Sequence, residues 1–174
     1  MKKGKKQADV INKKLAAVCG LYCRACSVFI ATMEDPERLK RLAAQFQWSE
    51  EEIKCYGCRS DKRCPYCEVK CKMFACATER GIDFCSECGE FPCEDLKKFQ
   101  SGMPHRIELW EDLERIKTTG YAQWLREIQK HYACPRCQTI NSAYDLKCRA
   151  CGEDPSCEYV NKHRQAIEQY LKNK

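Results

Sequence analysis

Long apolar runs are missing from this chain of 174 residues: no stretch approaches the roughly 20 apolar residues that a membrane-spanning helix needs. A secretory leader is not read at the N-terminus either. Lys2, Lys3, Lys5, Lys6, Lys13 and Lys14 crowd it, and the apolar stretch from Leu15 to Val18 is too short for the core of one. The expectation is a cytoplasmic protein with no membrane partner. Histidine is scarce, and His105, His131 and His163 lack the close pairing of zinc-finger ligands, so none is given a ligand role. No acid–base pair stands out, because Asp35, Glu37 and Glu52 read as helix caps and first-turn charges. The sequence therefore leans away from an enzyme. Large apolar side chains are also few. The apolar share is 44%, but 17 of those residues are cysteine, which leaves about 60 to build a core.

Cysteine is what the chain has in abundance, and most of it falls in pairs two residues apart: Cys23 and Cys26, Cys55 and Cys58, Cys64 and Cys67, Cys85 and Cys88, Cys134 and Cys137, Cys148 and Cys151. That spacing lets two thiolates reach one tetrahedral ion from a single turn, and it is too short for a relaxed disulfide. Disulfides would also call for an oxidising compartment and an even set of thiols. Metal ions are the expected substitute for the thin core, since a structural zinc contributes an apparent ~10–16 kcal/mol against a typical net stability of ~5–15 kcal/mol. Metal also changes the charge. Sixteen thiolates around four divalent ions add a net −8 to the formal +6 and bring the total to about −2. Nucleic acid is then a partner supported only by Arg136, Lys147 and Arg149 beside the last knuckles, with no aromatic stacking platform.

The chain reads as a small metal-stabilised α+β protein: short helices around a multi-cysteine core, a helical connector and a C-terminal zinc ribbon hairpin. The expected parts are a basic flexible arm over 1–18, with Val10, Ile11 and Leu15 as its apolar anchors, a cysteine-rich domain over 19–102, the connector over 103–130, the ribbon over 131–155 and a last helix over 156–174. Asp35 followed by Pro36 predicts a helix start, with Leu39, Leu42, Ala43 and Phe46 on one face. Ser49 and Glu52 form a capping box. Pro92 leads into a helix opened by Glu94 and Asp95 and closed near Gly102, and Tyr121, Trp124, Leu125 and Ile128 make a packing stripe in the connector.

Cys134, Cys137, Cys148 and Cys151, with Gly152 after the second pair, look like a zinc ribbon with a closed four-thiolate site and a hairpin between the knuckles; a rubredoxin-like iron site would use the same knuckles. The remaining candidates divide less simply. A single helix from Glu68 to Arg80 would turn Cys71 and Cys76 roughly 140° apart. This favours one site from Cys55, Cys58, Cys67 and Cys71 and another from Cys76, Cys85, Cys88 and Cys93. Cys19, Cys23 and Cys26 then remain, either completed by Cys64 or left open to water or a partner's ligand. Their spacing matches radical-SAM enzymes, but Ala25 stands where that family has an aromatic residue, and the chain is too short for the partial barrel. Cys157 is a spare buried thiol in this reading.

Taken together, Cys19-Gly20-Leu21, Cys23 and Cys26, the Cys55-Tyr56-Gly57-Cys58 loop and the run from Cys85 through Phe91-Pro92-Cys93 resemble an uncharacterised, cysteine-rich family of bacteria and archaea classed as a domain of unknown function. The resemblance extends over about residues 19–152, with Cys64 and the Cys67 to Cys71 spacing as departures. It implies metal binding, usually taken as zinc, and carries no activity. The functional expectation is a zinc protein with about four structural Cys₄ sites that binds a protein partner without catalysis. The alternatives are an iron–sulfur redox protein and a metalloenzyme open at Cys19, Cys23 and Cys26.

Overall fold

The computed structural model describes residues 12–173, and its architecture is helical. Eight α-helices follow in order: α1 (Ser27–Glu34), α2 (Pro36–Phe46), α3 (Glu50–Ile53), α4 (Lys72–Glu79), α5 (Glu94–Ser101), α6 (Leu109–Thr119), α7 (Tyr121–Tyr132) and α8 (Glu158–Lys172). Among the described residues the only β pairing is two isolated antiparallel bridges, Ala16 with Tyr22 and Ala133 with Ile140. The β half of the expected α+β class, and with it the C-terminal hairpin, is thus replaced by a mostly helical fold. The reason is local: between the last two knuckles, backbone groups are engaged by side chains and turns and no ladder partner is left for a strand. Asn141 Nδ2 donates to the Thr139 carbonyl at 2.9 Å, and Asp145 Oδ2 accepts from the Ser142 amide at 2.8 Å.

The caps read from sequence form. Asp35 accepts from the Arg38 amide at 2.9 Å to open α2, and Ser49 and Glu52 complete the capping box of α3. Leu39 and Ala43 of α2 bury with Ala31 and Ile53 in a small satellite core, while Phe46 stays 45% exposed and stacks on Trp48 at 5.5 Å. One expected helix is broken. Residues Tyr66–Lys70 form a wide π-type turn, Cys71 is extended (φ −80°, ψ 95°), and only then does α4 begin. The break frees Cys71 from the helical register that would have tied it to Cys67.

A larger core runs through nearly every part of the chain. It joins Leu15, Val18, Tyr22 and Phe29 to Met73, Phe84 and Leu96, then to Leu113, Trp124, Tyr132, Ile140, Tyr159 and Ile167. Leu15 to Val18, expected as part of the arm, are therefore core, while Val10 and Ile11 lie outside the described residues. Aromatic packing organises this core: Tyr22 meets Trp124 edge-on at 6.3 Å, and Tyr132 stacks on Tyr159 at 4.9 Å. Two glycines permit its closest approaches. A Cβ on Gly20 (φ +85°) would come within 2.8 Å of Leu113 Cγ, and one on Gly57 (φ +111°) within 2.7 Å of the Lys14 carbonyl. No helix among the described residues is long and apolar enough to cross a membrane.

Candidate metal centre

Where α7 ends, Ala133 turns extended and the chain forms its first knuckle: the Cys134 amide donates to the Thr139 carbonyl at 2.9 Å, and the Gln138 amide to the Cys134 carbonyl at 3.0 Å. The second knuckle repeats the device, with Cys148 N–H donating to Glu153 O at 2.8 Å and Gly152 N–H to Cys148 O at 2.9 Å. Gly152 adopts φ +76°, the left-handed conformation that glycine tolerates best. The two turns bring the Sγ atoms of Cys134, Cys137, Cys148 and Cys151 within 4.8 Å of one another. Among the described residues, this is the one group of Cys, His, Asp or Glu gathered so closely.

Cys134 and Cys151 lie 3.6 Å apart, as do Cys137 and Cys148. Four sulfurs on a tetrahedron with zinc-type bonds of ~2.3 Å stand about 3.8 Å apart, so the set is already at metal-binding dimensions. All seventeen cysteines are free thiols. The electrostatics of the quartet also fit a cation. Cys137 is drawn down to about 6 by the Thr139 hydroxyl and then the Thr139 amide. Burial raises Cys148, but the amides of Ala150 and Cys151 outweigh it and the thiol is lowered. The Glu153 amide pulls on Cys151, yet burial and hydrogen bonds with Cys137, Cys134 and Cys148 leave it at about 12. Cys137 and Cys148 are thus drawn toward the thiolate and Cys151 toward the thiol, and a bound divalent ion would deprotonate its ligands outright.

Asn141 is the residue that sequence reasoning missed. Fully buried, its amide donates to the carbonyls of Thr139 and Ser156 (2.9 and 3.1 Å) and approaches Cys148 Sγ at 3.7 Å, while its Oδ1 accepts from the Arg149 amide at 3.0 Å. It binds the two knuckles into one frame. The available signal was an asparagine set between two cysteine pairs, too common in loops to single out. Arg149 Nε adds a bond to the Ile140 carbonyl at 2.9 Å, and its guanidinium pairs with Glu34 of α1. Ser27 and Ser142 hydroxyls meet at 2.8 Å, and Arg38 reaches Asp145 at 2.8 Å, so the centre is seated on α1 and α2.

The twelve cysteines from Cys19 to Cys93 are brought together in smaller groups, without a quartet as tight as the C-terminal one. Two thiols, Cys55 and then Cys67, act on Cys64. The first lowers it, but the second and burial prevail and leave it at about 12. Cys23 Sγ accepts the Cys58 amide at 3.3 Å. Burial pushes the Cys19 thiol well up, and Cys58, Cys71 and Cys85 add to it in that order. Burial likewise lifts Cys85 to about 12, with Cys93 and Cys76 its foremost sulfur neighbours. Cys88 Sγ accepts from Arg80 Nη1 at 3.3 Å and from the Glu90 amide at 3.4 Å. Cys157 is buried at the start of α8, with the Ser156 hydroxyl 3.6 Å from its sulfur.

The histidines have other work. His105 Nδ1 lies 2.6 Å from the Tyr144 hydroxyl. His163 Nε2 lies 2.8 Å from Glu108 Oε1, and His131 Nε2 lies 2.6 Å from Glu108 Oε2 but off the line of a good hydrogen bond. Glu108 thereby ties the start of α6 to α7 and α8.

Fold and site define a helical, cysteine-rich protein with a four-thiol centre able to hold a metal ion. Residues 15–98 match the family model described as "Protein of unknown function (DUF3795)". The C-terminal centre lies beyond the matched span. No curated protein and no solved structure matches the chain.

Proposed function

We propose that this is a cytoplasmic zinc-binding protein whose ions are structural, and that it serves as a module for binding another protein. The observation that carries the reading is the quartet of Cys134, Cys137, Cys148 and Cys151, with sulfurs 3.6 Å apart across both diagonal contacts. Four thiolates fill a tetrahedral shell and leave no position for water or substrate, which favours a structural role over catalysis. The cysteine density of residues 19–93 supports further sites of the same kind, drawing on Cys19, Cys23, Cys26, Cys55, Cys58, Cys64, Cys67, Cys71, Cys76, Cys85, Cys88 and Cys93. Exposed Tyr56, Tyr66 and Val69, on the cysteine-bearing loops, suit contact with a protein partner.

Elemental analysis of the full chain purified without oxygen tests the proposal. About four zinc ions per chain and no visible absorption are expected. Iron with thiolate-to-metal absorption would overturn the zinc assignment in favour of an electron-transfer centre. Less than one ion of any kind per chain would overturn the metal reading altogether.

A further inference from the structure

The C-terminal centre meets α1 and α2 through three polar contacts. The hydroxyl of buried Ser142 lies 2.8 Å from that of Ser27, where α1 begins. Asp145 accepts the Arg38 guanidinium of α2 on both oxygens, at 2.8 and 3.3 Å, and the two side chains are only 14% and 13% exposed. Arg149 pairs with Glu34 in the last turn of α1. A bidentate pair held away from water is strong and also demanding in geometry. The receiving side is prepared for it: Asp35 holds Arg38 Nε at 3.2 Å, and Arg24 stands 3.8 Å from Glu34.

The four cysteines fix where the three latching side chains stand. Arg149 sits inside the second knuckle, between Cys148 and Cys151. Its amide donates to Asn141 Oδ1 at 3.0 Å and its Nε to the Ile140 carbonyl at 2.9 Å, so the join between the knuckles sets the side chain that reaches Glu34. Ser142 and Asp145 are locked into one turn. Asp145 Oδ2 accepts from the Ser142 amide at 2.8 Å, and the Asp145 amide donates to the Ser142 carbonyl at 3.0 Å. Ten residues separate Cys137 from Cys148, and an ion that ties both ends of so short a loop narrows the orientations open to it.

The other side of the loop is held without α1 or α2. Tyr144 brings its hydroxyl within 2.6 Å of His105 Nδ1 and its ring within 5.7 Å of Tyr170 in α8, and the Leu146 carbonyl accepts the Ser156 amide at 3.1 Å. The loop thus has a hinge side toward α8 and a latch side toward α1 and α2.

From this geometry we infer that the C-terminal centre is a metal-dependent latch: its ion holds the loop on Ser27, Glu34 and Arg38, and loss of the ion frees that face of α1 and α2. The three residues gripped lie within the family-matched span, and the latch that grips them lies outside it. The inference rests on the reading of Cys134, Cys137, Cys148 and Cys151 as a metal site, and adds to it a surface that the ion covers. Such coupling is reciprocal. The latch contacts must tighten ion binding by the factor with which the ion tightens the latch.

Zinc-loaded full chain, titrated with a chelator and read by alkylation of each cysteine in a mass spectrometer, tests the reciprocity. Arg38→Gln and Glu34→Gln change no ligand. Each should expose Cys134, Cys137, Cys148 and Cys151 at about tenfold less chelator, within the ~5–150-fold of typical couplings, and leave the cysteines from Cys19 to Cys93 where they were. Unchanged exposure of the C-terminal four in both variants would overturn the latch. The reverse direction uses Cys137→Ser with Cys151→Ser, which removes half of that ligand set. Hydrogen exchange of α1 and α2 amides should then quicken about tenfold, more than in α4 and α5. Exchange as slow as in the parent, or a loss spread evenly over all four helices, would overturn it. A parent chain whose C-terminal cysteines react fully before any chelator is added would instead sink the metal reading.

Discussion

The C-terminal centre and the family domain use one ligand chemistry with opposite topologies. In the first, Cys134 to Cys151 are near neighbours in sequence, and each knuckle builds its own backbone hydrogen bonds before the two meet across Asn141. In the second, the contacts around the cysteines come from remote segments: Cys23 Sγ accepts from the amide of Cys58, and the Cys85 turn is anchored by its amide to the Val18 carbonyl at 2.8 Å. Local knuckles close small loops at little entropic cost. Remote sulfurs must wait for the chain to fold around them, or fold it by binding metal.

The comparison can be broken most directly by removing metal. Chelation of the full chain under reducing conditions is expected to unfold residues 19–93, because ~10–16 kcal/mol per structural zinc exceeds what so few large apolar side chains supply. In α6, α7 and α8, whose shared core holds Trp124, Tyr132 and Tyr159, residual amide protection should outlast it. Hydrogen exchange checks both, and protection in 19–93 unchanged by chelator would refute the contrast.

Smaller in effect is Asn141→Ala, which leaves the Ser156 carbonyl and the Arg149 amide without their partner inside the protein. At ~1–3 kcal/mol for each unsatisfied buried group, a loss of about 3 kcal/mol is expected, with metal affinity of the C-terminal centre down ~10–100-fold. Competition with a chromophoric chelator should find one weakened ion and the others unchanged.

Gly57→Ala is the counterpart for the family domain. Its Cβ would stand 2.7 Å from the Lys14 carbonyl at φ +111°, a strain of about 2 kcal/mol. Thermal melting should fall while the C-terminal ion stays put. A variant as stable as the parent would mean that the approach of residue 14 to the Cys55–Cys58 loop contributes little.

The smallest expected effect lies outside both centres. Burial raises Asp112 to about 7, although the Trp124 indole N–H donates to it at 2.7 Å. A carboxyl with a folded pKa above its unfolded value contributes stability at low pH and loses it as pH rises from about 4 to about 7. Asp112→Asn keeps an acceptor for Trp124 and removes that loss. Relative to the parent, its melting temperature should climb across this window and level off above it, a net gain on the order of 1 kcal/mol. A flat difference would place the proton elsewhere.

Much of the local structure was readable in advance, for reasons tied to contiguous residues. Asp35-Pro36 and the Ser49–Glu52 pair satisfy orphan amides at helix starts whatever surrounds them, and both caps form. The helix expected from Glu68 to Arg80 is broken at Cys71, extended between the π-type turn and α4, a break that apolar periodicity does not register. Leu15 to Val18 looked like the end of a charged arm, and only the cavity formed by distant helices makes them core.

By itself, then, the sequence determined that this is a thiol-rich, metal-suited protein and that Cys134, Cys137, Cys148 and Cys151 belong together, because spacing within a turn limits where a sulfur can reach. Tertiary structure alone decided that the two knuckles hang on Asn141, that strands give way to turns between them, and that the Cys58 amide meets the Cys23 sulfur. Those outcomes depend on how α1, α6 and the loops pack in space, and packing joins residues that no spacing along the chain connects.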